Sequence, residues 1–151
     1  MTQQQIPYIE YDCSKIYISK SYIHGRGVLA REAIPNQSVI EVFPILPLHF
    51  RTNYQFDQTI INYALINDSC KCAECQKHGY VIYFPMGYGG LYNYAIPNEL
   101  YNAFLDINFE HFYGKIIAYK NIEKDEEITL NIEDSYLYKE LEKIKNKNEN
   151  K

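Results

Sequence analysis

Alternation of apolar and polar residues dominates the chain and predicts short strands in place of long helices. In KIYISKSYIHGRGVLARE, beginning at Lys15, Ile16 and Ile18 stand two apart, as do Val28 and Ala30, with His24, Gly25, Arg26 and Gly27 between the pairs. This reads as two strands around a glycine turn. AIPNQ, at residues 33–37, supplies a second turn, and SVIEVFPILPL after it predicts a β-branched strand ended by its prolines. In TNYQFDQTIINYALIND the apolar residues Phe56, Ile60, Tyr63 and Ala64 fit one or two helical turns, and an irregular segment fits equally well. YVIYFPMGYGGLYNY alternates and then turns at its glycines. NAFLDINF and KIIAYKNI, joined by a turn at residues 111–114, predict a hairpin. A turn at Lys124, Asp125 and Glu126 leads into a last strand, EITLNI, and YLYKELEKIKNKNENK reads as a short helix dissolving into a polar tail. No internal repeat or linker interrupts the pattern.

The expectation is one mostly β domain of the α+β class. The length of 151 residues supports one core but not two. A hydrophobic share of 46% against 23% charged residues is that of a folded soluble chain. No stretch approaches the roughly 18 consecutive apolar residues of a membrane span. MTQQQIPYIEYD lacks the basic segment and apolar run of a secretion signal, so the expectation is an intracellular protein, cytoplasmic or nuclear. A net charge of −4 argues against a surface built to grip nucleic-acid phosphates and suits a basic partner. Sixteen tyrosines accompany abundant Ile, Asn and Lys, residues that share A/T-rich codons, so tyrosine number alone marks no site.

Chemistry concentrates in three segments. The first is Gly25-Arg26-Gly27-Val28-Leu29-Ala30 with Ile34-Pro35-Asn36-Gln37-Ser38-Val39-Ile40-Glu41. Its glycines let backbone approach a ligand and leave N–H and C=O groups open to it, although a plain hairpin turn needs them too. The second is Gly87-Tyr88-Gly89-Gly90-Leu91-Tyr92-Asn93-Tyr94-Ala95-Ile96-Pro97-Asn98, where the Asn93 amide offers both an acceptor and donors. The third runs from Ile117-Ala118-Tyr119 to Glu126-Glu127-Ile128-Thr129-Leu130.

In this order and spacing the three segments resemble the signatures of SET-domain protein-lysine methyltransferases, GxGVFA with I..G..I.E, GYGSLYNHSxxPN and A.rdI..GEELT. The resemblance implies a SET-type fold of several short β-sheets with a threaded C-terminal loop and a short C-terminal helix. It spans residues 15–138, between an N-terminal extension at 1–14 and a polar tail at 139–151. It also implies S-adenosylmethionine as cofactor and a lysine-bearing protein, a histone or another basic protein, as substrate, and it leaves a homodimer open. Gly25, Arg26, Gly27, Tyr92, Asn93 and Tyr94 fall where cofactor contacts are expected, with core packing as the alternative for the two tyrosines. Tyr63 and Tyr136 fall where tyrosines are expected to line the lysine channel. Glu126 and Glu127 are implied to lie in a turn and strand entry, without a catalytic role.

The chain departs from the family pattern at two places. Ile132 stands where the family's strand ends in a tyrosine that orients the amine, and Ile132 can neither donate nor accept a hydrogen bond. Tyr94 and Ala95 replace the histidine and serine of NHSxxPN, with one residue fewer before Pro97-Asn98. An active methyltransferase and a catalytically inactive SET-fold binding or oligomerisation module are therefore the two readings.

A separate cluster, Cys70, Cys72, Cys75 and His78, offers thiolate and imidazole ligands of the kind that hold one structural zinc tetrahedrally. A reduced surface loop is its plain alternative. His24, His49, His111 and Cys13 have no comparable company.

Overall fold

The computed structural model describes residues 9–48, 65–67, 81–108 and 110–131. β1 (Ile16–Lys20) and β2 (Arg26–Ala30) form an antiparallel hairpin in the register Ile16↔Ala30 to Lys20↔Arg26. The turn between them holds Gly25, whereas Arg26 and Gly27, which the sequence pattern places between the strands, open β2. β3 (Val39–Leu48), β4 (Leu65–Asn67), β5 (Val81–Pro85), β7 (Ala103–Asn108) and β8 (Tyr113–Ala118) build an antiparallel sheet in the order β4-β5-β3-β8-β7. β6 (Asn93–Tyr94) and β9 (Thr129–Leu130) pair in parallel, Asn93 with Thr129 and Tyr94 with Leu130.

Two sequence expectations need correction. The prolines do not end β3, which runs through Pro44 and Pro47 because it changes partners: residues 39–44 pair with β8 and residues 45–48 with β5. Pro44 sits at the handover, where its carbonyl accepts from Met86 N at 2.8 Å and where no ladder N–H is needed of it. Phe56, Ile60, Tyr63 and Ala64, which fit helical turns, lie outside the described residues; residues 65–67 that follow them are a strand, in register with residues 81–83. Gly114 is not a turn residue. It lies inside β8 opposite Phe43, where an added Cβ would come within 2.6 Å of the Phe43 ring. The helix expected from Ser135 onward lies outside the described residues.

One core serves all three sheets. Ile16 and Val28 from the hairpin, Phe43 and Ile116 from the large sheet, and Ile128 and Leu130 from the last segment are buried together. Full burial of each such side chain is worth about 1.5–3 kcal/mol, so Leu130 and the preceding Ile128 anchor the short β9. Asp12 exchanges backbone hydrogen bonds with Val42, Asp12 N to Val42 O at 3.1 Å and Val42 N to Asp12 O at 2.9 Å. No helix among the described residues is long and apolar enough to cross a membrane.

Candidate functional site

The turn between β1 and β2 is shaped by one hydroxyl. Ser21 Oγ accepts from Ile23 N at 2.8 Å and His24 N at 2.9 Å, and Ser21 N donates to Gly25 O at 2.8 Å. This local bonding replaces the strand ladder and bends the chain back. Gly25 has φ +53°, a left-handed conformation that costs a residue with Cβ roughly 1 kcal/mol. An added Cβ there would meet nothing within 4 Å, so the space over the turn is open. Tyr22, His24, Gly25 and Arg26 are all exposed.

Below the turn lies a buried carboxylate. Glu127 is 7% exposed and accepts from Ser21 Oγ at 2.9 and 2.8 Å, Tyr22 N at 2.8 Å and Asn93 Nδ2 at 3.1 Å. The Asn93 amide also faces Ser21 Oγ at 2.9 Å, His24 O at 2.9 Å and Arg26 O at 3.1 Å. Two N–H hydrogens thus serve four acceptors, and two of these are carbonyls that could not face the amide's own oxygen. The side chain therefore has a fixed orientation, nitrogen inward. Gly27 completes the arrangement by absence: its Cβ would stand 2.6 Å from Glu127 Oε2 and 3.2 Å from Asn93 Nδ2.

Two further side chains hold these segments in place. Asn102, 5% exposed, donates to Glu127 O at 2.9 Å and accepts from Thr129 N at 2.8 Å, bracing the entry to β9. Glu41, 1% exposed, accepts from Tyr88 N at 2.9 Å and from the Tyr92 hydroxyl at 2.7 Å, pinning the glycine-rich turn that leads to Asn93. Burial pushes the Glu41 carboxyl above its ordinary value of 4.5, against the lowering effect of those two hydrogen bonds. Burial, then the Glu41 charge, raises the Tyr92 hydroxyl as well.

The fold has solved counterparts. A Plasmodium falciparum protein assigned as a histone methyltransferase is 30% identical, with TM-score 0.57, over 77% of this chain and 90% of that one. The chain belongs to the SET-domain methyltransferase family. The SET fold recurs in a chain of the ctPRC2 complex, in an autoinhibited conformation bound to S-adenosylmethionine, at 18% identity and TM-score 0.60 over 87% of this chain and 17% of that one. The methyltransferase domain of human PR domain-containing protein 2 is similar at 14% identity and TM-score 0.51, over 77% of this chain and 75% of that one. No family model matches the sequence, and no curated protein matches it.

Of the residues singled out from the sequence, this SET domain brings Gly25, Arg26, Gly27 and Asn93 together, and Tyr94 follows Asn93 in β6 with its ring packed against the core. Tyr92 lies in the hydrophobic core with its hydroxyl on Glu41. Tyr63, Tyr136, Ile132, Cys70, Cys72, Cys75 and His78 lie outside the described residues. Sequence reasoning passed over Glu127, Ser21, Asn102 and Glu41. A glutamate flanked by Glu126 and Ile128 reads as a strand entry, and nothing in one sequence marks it as the acceptor for residues about a hundred positions away.

Proposed function

We propose that this SET domain transfers a methyl group from S-adenosylmethionine to a lysine amine of a basic protein. The observation that carries the reading is the bonding of Asn93 and Glu127 to the turn at residues 21–27, which fixes glycine backbone and an oriented amide beside open space. The residues fit the cofactor. Gly25 presents backbone with no side chain over it, the exposed Arg26 offers a cation to a carboxylate, and the Asn93 oxygen, opposite its pinned nitrogen, is an acceptor for an ammonium. When bound, the cofactor supplies an electrophilic methyl on a sulfonium.

The rest is the work of the chain. The lysine must arrive neutral, and burial in a narrow channel favours that form. By family resemblance Tyr63 and Tyr136 orient its lone pair, so that much of the rate comes from alignment. The net charge of −4 favours a basic substrate such as a histone tail. Ile132 supports the second reading, a SET module that binds without catalysing, because a hydroxyl is missing from the expected position.

The test is a thermal shift and calorimetric titration with S-adenosylmethionine, followed by radiolabelled methyl transfer to a panel of lysine-rich proteins. Binding must stabilise the native state by mass action. No shift at millimolar cofactor for folded protein ends the cofactor reading, and binding without transfer across the panel favours the inactive module.

A further inference from the structure

We infer that Glu127 makes the site sense charge on its cofactor, so that the chain distinguishes S-adenosylmethionine, a sulfonium cation, from its demethylated product, a neutral thioether. The inference rests on the function proposed above.

Among the described residues every donor to Glu127 is neutral: a hydroxyl, a backbone N–H and an amide. The one ion pair within 4.0 Å among the described residues is between His111 and Glu110, so none of the described cations sits against the Glu127 carboxylate. Hydrogen bonds stabilise that charge without cancelling it. The carboxylate abuts the turn backbone directly, since the Cβ that Gly27 lacks would lie 2.6 Å from Oε2.

Two opposing cations, Lys20 and Arg26, stand at the same end of the hairpin, and both are exposed. Their fields pass through water and fall off over about 10 Å at 0.1 M salt, whereas a buried charge is screened much less. At an effective dielectric of about 20, a unit charge some 12 Å away still changes binding roughly tenfold. The buried anion therefore outweighs the solvated cations and favours the cationic form of the ligand. Loss of the methyl removes that attraction, which favours product release.

Titration of the full chain with S-adenosylmethionine and S-adenosylhomocysteine gives the ratio of their affinities, with melting curves to establish folding. Glu127→Gln is expected to move the ratio about three- to tenfold toward the product. Ser21→Ala, which removes the hydroxyl's bonds to Glu127, Ile23 N, His24 N and Asn93 and keeps the charge, is expected to weaken both ligands together and leave the ratio unchanged. A ratio equal in parent and Glu127→Gln overturns the inference. Where Glu127→Gln does not fold, the parent decides: a preference for the sulfonium that persists at about 0.5 M salt supports a buried charge. A preference that is absent, or collapses with salt, overturns the inference. A folded parent that binds neither ligand overturns the proposed function itself, a result distinct from an unchanged ratio.

Discussion

Gly27→Ala should destabilise the SET domain far more than Gly25→Ala, although Gly25 is the one with positive φ. At Gly25 the added methyl meets no atom within 4 Å, so the cost is confined to the backbone at φ +53°, about 1 kcal/mol. At Gly27 the methyl would stand 2.6 Å from Glu127 Oε2 and 3.0 Å from its Cδ. A carboxylate at the end of a glutamate can normally swing aside. This one is held by Ser21, Tyr22 and Asn93, so moving it breaks two or three hydrogen bonds to a charged group, each worth about 1.5–3 kcal/mol. Relaxation recovers part of that, and the stiffer unfolded chain returns roughly 0.4–1 kcal/mol. The expected net loss is about 2–4 kcal/mol, or a fall in Tm of roughly 6–12 °C for a domain of this length. Urea and thermal unfolding of the two variants side by side measure it. A double-mutant cycle sharpens the comparison: once Glu127→Ala has removed the carboxylate, adding Gly27→Ala should cost little. If Gly27→Ala is no worse than Gly25→Ala, or if the cycle is additive, Glu127 is not the fixed obstacle described here.

Glu41 makes a prediction about pH. Its folded pKa is raised above 4.5, so the unfolded chain releases the proton first as pH rises, and the stability present below 4.5 is lost as pH climbs through the folded value. Tyr92 is the titratable group bonded to it, and it stays protonated over that window because its own pKa is raised. The stability of Glu41→Gln relative to the parent should therefore improve as pH rises from 4.5; a flat or falling difference in Tm refutes the assignment. Ile132→Tyr should raise methyl transfer above the parent level, restoring an orienting group worth about 2–4 kcal/mol. If a folded, cofactor-binding variant and its parent are both silent, the inactive-module reading wins. Protein purified without chelator should carry about one zinc per chain on Cys70, Cys72, Cys75 and His78. Elemental analysis without zinc, and no change in melting on adding it, removes that site.

The sequence was most legible where one face of a strand is buried and the other is wet. The hairpin of Ile16, Ile18, Val28 and Ala30 and the β7–β8 hairpin stand where the alternation put them. Pro44 misled because a proline rule for strands assumes one partner throughout, and β3 has two in succession. Gly114 misled because a glycine under an aromatic ring carries the same letter as a glycine in a turn. Glu127 was hidden for a different reason. Residues 127–130 are all buried, so no period separates an inward glutamate from an outward one. Its importance is a property of register between distant segments, and pairwise spacing in one chain does not encode it. The family motifs single out Gly25, Gly27 and Asn93, which the fold brings together, without revealing that Asn93 spends its nitrogen on the protein itself.

The parallel pairing of β6 with β9 has a consequence for the order of events in a cell. The site joins residues up to 106 positions apart, and its keystone belongs to the last described segment of the chain. A polypeptide that ends before residue 127 owns the hairpin and Asn93, whose amide bridges to Ser21, His24 and Arg26, but lacks the carboxylate that gathers Ser21 Oγ, Tyr22 N and that amide around one acceptor. Such long-range closure is slow compared with local hairpin formation. The full arrangement is therefore assembled late, when the segment that carries Glu127 docks beneath the hairpin.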